Sequence, residues 1–211
     1  SVAGCQEPLI MGKDNGNTTN SWLNMPKILE LVLQGGRSAI SGKQIGKSAK
    51  ELGYADSLEL LKNIRQVFYK ELEFYVDEMT NAANAASRAL GLCQVPFLST
   101  MMGGIETGID MRDTERQGTR YNGSGCLIHG SSVVSDSFIA IDTLIRERPQ
   151  DAQRMLEALR TNFENDSELH QYLLACDKFG NNLEEVDGET KEGVKRAANL
   201  VASKKNYLGN P

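Results

Sequence analysis

A helix-rich α/β fold is what this sequence predicts, on three observations. Several stretches place apolar residues at helical spacing, one short apolar run reads as a strand, and glycine-rich connections lie between them. At 211 residues the chain is long enough for one domain with a substantial core.

The elements follow in order. "SVAGCQEPLIMGKDNGNTTN" mixes glycine with asparagine and threonine and has little periodicity, so residues 1–20 read as loop. "MPKILELVLQGG" reads as a helix, with Pro26 in its first turn and a stop at Gly35 and Gly36. "GGRSAISGKQIG" is again a loop. It is not a phosphate loop, because five residues separate Gly36 from Gly42 and Gln44 stands where Ser or Thr is required.

Asp56 then caps a long helix, with Glu59 three residues on as in a capping box. Leu61, Ile64, Phe68, Leu72, Tyr75 and Met79 form one apolar stripe, and the helix continues through "NAANAASRAL". "QVPFLSTMM" reads as a short buried strand, followed by a long glycine-rich connection from Gly103 to Ser132. Three further helices are predicted in "VVSDSFIAIDTLIRE", "PQDAQRMLEALRTNF" and "DSELHQYLLACDKFG", the last ending at Gly180. The acidic run "NNLEEVDGETKEG" reads as solvated surface.

Composition narrows the function. Net charge is −5 and the basic residues are scattered, which argues against nucleic acid as partner. No apolar run approaches a membrane span, and no signal peptide opens the chain. Cys5, Cys93, Cys126 and Cys176 stand far apart, as reduced cytosolic thiols do; Cys93, Cys126 and Cys176 read as packing residues. With only His129 and His170, no multi-histidine metal centre is supplied. The abrupt start suggests a piece of a longer polypeptide.

The densest chemistry lies in "GCQEP". In an extended loop, residues two apart project to the same side, so Cys5 and Glu7 can address one small ligand. A thiol serves as nucleophile, as metal ligand or as hydrogen-atom donor. The first needs a base, for which histidine is scarce, and the second lacks companion ligands. The third needs a neighbouring acid/base, which Glu7 provides.

"AGCQEP" followed by "GKDNGNTTNSWLNMPKILELVLQGG" resembles the thiyl-cysteine loop and following helix of the glycyl radical enzymes, the pyruvate formate-lyase family. "VPFLSTMMGGIETGID", "RYNGSGCLIHGSSVVSDSFIAI", "LEALRTNFEN" and "DKFGNNLEEVD" are similar to further family segments in the same order, so the resemblance covers nearly the whole chain. It implies that Cys5 is the thiyl cysteine and Glu7 the acid/base of the Gly-Cys-x-Glu subgroup. It also implies part of a ten-stranded α/β barrel with outer helices. Residues 1–20 would be its cysteine loop and 21–211 a helical barrel segment of one catalytic domain.

Three departures stand out. The family's namesake carries two adjacent cysteines, whereas Gly4 precedes Cys5 here, which disfavours formate acetyl transfer. The diol dehydratases place an aspartate fourteen residues beyond the cysteine, where this chain has Thr19. No "RVxGY" glycyl radical loop is present.

No cofactor is therefore expected in the chain itself. The glycyl radical would lie outside it, installed by an S-adenosylmethionine and iron–sulfur activase. The expected partners are that activase, the remainder of the same polypeptide and a second copy in a full-length homodimer. The expected setting is an anaerobic cytoplasm or a microcompartment. The alternatives are a thiol-nucleophile enzyme, a formate acetyltransferase-like enzyme and a non-catalytic helical scaffold. His129, in the glycine-rich connection, is a candidate substrate contact. The mixed charges of Arg112, Asp113, Glu115, Arg116 and Arg120 read as surface pairing, with an arginine as a candidate for a substrate carboxylate.

Overall fold

The computed structural model describes residues 2–3, 7–8, 10–13, 21–121 and 125–210; for 2, 3, 7 and 8 only the backbone is described. Where the sequence reads as plain loop, β1 (Val2–Ala3) and β2 (Glu7–Pro8) pair antiparallel, Val2 opposite Pro8 and Ala3 opposite Glu7. β3 (Ser21–Asn24) runs directly into α1 (Met25–Leu33). The Asn24 side chain caps α1 by accepting from the Lys27 amide at 3.1 Å, Pro26 fits the first turn, and Gly35 and Gly36 follow the end, as predicted.

Next come α2 (Ala49–Leu52) and α3 (Ser57–Lys62). The reciprocal capping box belongs to α2, through Ser48 and Glu51. On α3, Asp56 accepts from the Glu59 amide at 2.8 Å, but the Glu59 carboxylate takes the Ala55 amide at 2.9 Å rather than that of Asp56. The long helix predicted from Asp56 is also interrupted. Asn63 leaves the helical region, and its side chain donates to the Glu59 carbonyl at 2.9 Å, closing α3 before α4 (Ile64–Gly91) begins. Asparagine competes with the backbone in this way. From Val76 onward the buried stripe of α4 leaves the predicted Tyr75 and Met79, both only half-buried.

The predicted strand "QVPFLSTMM" is helical instead. α5 (Pro96–Ser99) and α6 (Ile105–Thr107) flank a stretch that kinks at Met102 and Gly103. Proline at the first turn and the Asp110 carboxylate, which accepts from the Val95 amide at 2.8 Å, start a helix there. β4 (Cys126–His129) emerges from the predicted loop and pairs with β3. α7 (Ser131–Glu147) and α8 (Ala152–Arg160) follow as predicted. α9 (Ser167–Leu174) stops six residues before Gly180. α10 (Glu184–Ala202) absorbs the acidic run, with Val186, Thr190, Gly193 and Ala197 forming a buried face. Its acidic residues lie on the other sides or in ion pairs, so charge alone hid the helix. The helix-rich α/β class is as the sequence predicts.

Two compact units divide the chain. One, Asn24–Tyr75 with Ile128–Ala198, packs α1 and α3 against α7 and α8 against α3, with the start of α4 meeting α7 through Phe68 and Phe138. Its core holds Phe68 and Phe138 edge to face at 5.4 Å, with Leu61, Ile64, Leu72, Leu144, Leu169 and Val186 buried around them. Arg65 ties α4 to α7 and α10, bonding Asp142 at 2.6 and 2.9 Å and Glu189 at 2.8 Å while lying over the Phe138 ring. Gly130 starts α7 at φ +73°; a side chain there would collide with the ring of Pro26.

The other unit comprises Ser1–Leu23, Val76–Leu127 and Asn199–Pro211. Lys204 pairs with Asp77 at 2.6 Å, and Asn84 donates to the Lys205 carbonyl at 2.9 Å, fixing the C-terminal residues on α4. No described helix is long and apolar enough to cross a membrane.

Candidate functional site

Cys5 and Thr19 lie outside the described residues, and of Glu7 only the backbone is described. What the structure places is the chain on either side. Upstream and downstream strands β1 and β2 set Ala3 opposite Glu7, with residues 4–6 between them in sequence. Beyond β2, residues 10–13 form a turn, closed by the Lys13 amide donating to the Ile10 carbonyl at 3.1 Å. The Tyr121 amide donates to the Lys13 carbonyl at 2.9 Å. Gly12 lies close against the backbone of Met101, and Gly103, at φ +96°, faces the Gly12 carbonyl. The kink between α5 and α6 and the end of the glycine-rich connection thus hold the segment that follows the Cys-x-Glu triplet.

Asp110 organises this support. Its carboxylate accepts from the Val95 amide, from the Ser99 hydroxyl at 3.0 Å and from the Arg112 amide at 2.9 Å; Ser99 in turn accepts from the Met111 amide at 2.9 Å. Burial pushes the Asp110 pKa up, but these hydrogen bonds outweigh it and hold the group below the ordinary aspartate value. Sequence reasoning missed Asp110; the proline start of α5, which leaves the Val95 amide in need of an acceptor, was the available signal. Beside it opens a polar cleft of about 310 Å³, lined by Gln94, Thr100, Asp113 and Arg116 among others.

Of the mixed charges expected to pair at the surface, Arg116 and Asp113 do so. Arg116 bonds Asp113 at 2.8 Å, Arg112 donates to the Cys93 carbonyl at 3.0 Å, and Arg120 lies against the Tyr121 ring. His129, predicted in loop, is the half-buried last residue of β4. Cys126 is half-buried with its thiol 3.7 Å from the Met79 sulfur. Burial pushes that thiol up, a hydrogen bond with Ser21 offsetting part of the effect, so it is a poor nucleophile at neutral pH. Cys176 is also half-buried and pushed up by burial. Cys93 corrects the expectation of packing: it follows the end of α4 and is exposed. Among the described residues no three His, Cys, Asp or Glu side chains converge as a metal site.

The pyruvate formate lyase-like family matches across residues 1–211. The chain belongs to that family. Its relatives are glycyl radical enzymes, as the motifs imply. It is 30% identical over 172 residues to (2S)-3-sulfopropanediol dehydratase of Klebsiella oxytoca, covering 80% of this chain and 20% of that protein. It is 28% identical over 212 residues to trans-4-hydroxy-L-proline dehydratase of Clostridioides difficile, covering 99% of this chain and 26% of the relative. The glycerol-bound B12-independent glycerol dehydratase of Clostridium butyricum superposes with a TM-score of 0.79 at 26% identity, over 97% of this chain and 25% of that one. The chain therefore spans about a fifth to a quarter of the length of these relatives.

Proposed function

We propose that this chain is the thiol-bearing segment of a glycyl radical lyase acting on a small polar metabolite. The observation that carries the reading is the family match over all 211 residues; the Cys-x-Glu triplet in the stretch that resembles the family's thiyl loop supports it. Relatives named as dehydratases support a lyase over an acetyl transferase, and Gly4 in place of a second cysteine agrees. Thr19, where diol dehydratases carry an aspartate, points to a leaving group handled differently from that of glycerol.

In this reading the glycyl radical, lying outside these residues and installed by an S-adenosylmethionine activase, supplies the one-electron oxidation of the thiol. Cys5, as the thiyl, takes a hydrogen atom from a substrate C–H bond, forming S–H and leaving a carbon radical. Glu7 moves the accompanying proton, assisting the departing group of the substrate, and Cys5 returns the hydrogen atom to the product radical. The β1–β2 pair sets the backbone of Ala3 and Glu7 on either side of residues 4–6 in sequence, and the Tyr121–Lys13 bond anchors the segment that follows. The oxygen sensitivity of such radicals places the enzyme in an anaerobic cytoplasm or microcompartment.

The test is made on the activated, radical-bearing protein that contains this segment. Cys5→Ser is expected to abolish turnover while the glycyl radical signal persists in electron paramagnetic resonance. Glu7→Gln is expected to lower kcat by roughly 10²–10⁴-fold. Ordinary turnover in the serine variant would refute the proposal.

A further inference from the structure

Residues 10–13 follow β2 closely and are gripped from two sides by backbone. On one side Gly12, at φ +73°, would bring a Cβ to 3.4 Å from the Met101 carbonyl, and Gly103 faces the Gly12 carbonyl. On the other, the Tyr121 amide donates to the Lys13 carbonyl at 2.9 Å. A grip made of backbone is only as exact as the chain that presents it.

Both presenting chains lead back to Asp110. Its carboxylate accepts from the Val95 amide and the Ser99 hydroxyl, which fixes α5 just before Met101. Its carbonyl lies where a side chain on Gly118 would collide, so the glycine lets residues 118–121 pass directly against it. The buried Thr119 then donates to the Tyr121 carbonyl at 2.9 Å, shaping the turn that offers the Tyr121 amide. Two further bonds close the branches on each other: Arg112 amide to Asp110 at 2.9 Å, and Met111 amide to Ser99 at 2.9 Å.

We propose that Asp110 is a positioning residue for the Cys5–Glu7 loop, setting where Cys5 stands relative to the atoms with which it exchanges hydrogen. The proposal rests on the Cys5 reading above. A misplacement of about 1 Å at a reacting group costs roughly 10²-fold in rate, so a small relaxation of the grip on residues 10–13 is enough to be measured.

The test needs no substrate. In D2O the Cys5 thiol becomes S–D. When the glycyl radical oxidises it, the S–D bond breaks, a C–D bond forms at the glycine and the sulfur is left as the thiyl. On return the sulfur takes either the hydrogen or the deuterium from that carbon, and a glycine that keeps deuterium loses the proton splitting of its paramagnetic resonance doublet. In the activated protein that contains this segment, the doublet should collapse in the wild type and persist in Cys5→Ser. Asp110→Asn should slow the collapse roughly tenfold or more at unchanged initial radical signal, and Ser99→Ala should slow it less. Arg65→Met, which weakens the other unit, should collapse at the wild-type rate; a merely structural effect would not separate the two units. In the unactivated protein, amide hydrogen exchange over residues 2–13 should rise in Asp110→Asn and not in Arg65→Met. A wild-type rate of collapse in Asp110→Asn, or in Ser99→Ala where the first variant does not fold, overturns the proposal. Equal slowing by Arg65→Met does the same. A doublet that persists in the wild type, or collapses in Cys5→Ser, instead overturns the Cys5 reading and this proposal with it.

Discussion

α7 and the 92–105 segment are both rich in apolar residues, and they use them in opposite ways. Phe138, Ile141 and Leu144 of α7 are buried against side chains of their own unit. Phe97, Met101 and Ile105 point out of theirs. One unit therefore draws its stability from apolar packing. The other holds its shape locally through a carboxylate hub at Asp110, leaving its apolar side chains unspent. Hydrophobic sequence is thus necessary for a core but does not say whose core it joins.

Four substitutions break or sharpen that contrast, in falling order of effect. Phe138→Ala should destabilise the chain most, by about 3–5 kcal/mol in urea unfolding, because it opens a cavity against Phe68. Arg65→Met should cost about 1–2 kcal/mol by the same measurement. It retains apolar bulk over Phe138 but leaves Asp142 and Glu189 without their partner, in a partly solvated setting that screens the loss. Asp110→Asn should cost about 1 kcal/mol through the lost cap on Val95 and Ser99.

The Asp110 variant also has a pH signature. Because the folded pKa is depressed, the wild-type carboxylate contributes stability above the ordinary aspartate pKa, and that contribution disappears as pH falls through the lower folded value. Acid titration of the melting temperature should therefore show a shallower acid limb for Asp110→Asn; an unchanged limb would remove Asp110 from its organising role. Phe97→Ala should change the stability of the isolated chain by less than about 0.5 kcal/mol, since it removes no burial there. A loss as large as that of Phe138→Ala would show that the face is covered within the chain and would end the contrast.

Much of the fold was legible. Stripes with strong 3.6-residue periodicity, as in α1, α4, α7 and α8, appear where the sequence predicts them, because burial on one face imposes that spacing. Short elements were less legible. Four apolar residues after Val95 cannot distinguish strand from helix by periodicity, and the deciding group, Asp110, lies fifteen residues from the amide it binds. The break at Asn63 came from a polar side chain that bonds the Glu59 carbonyl, and the helix in the acidic run from the widely spaced buried face of Val186, Thr190, Gly193 and Ala197 that the charges mask. At the candidate site the triplet was visible as chemistry. Its scaffolding at Gly12, Met101 and Tyr121 was not, because contacts between distant residues leave no local pattern.

The bond from Tyr121 to Lys13 joins residues 108 apart in sequence (121 − 13). At synthesis rates of ~5–20 residues per second, Lys13 leaves the ribosome roughly 5–20 s before the amide that anchors it exists. Closing so long a loop also carries an entropic cost that local helices escape, so this anchor belongs among the last contacts to form. Maturation of the thiol segment is thereby timed by the arrival of a residue more than half a chain away.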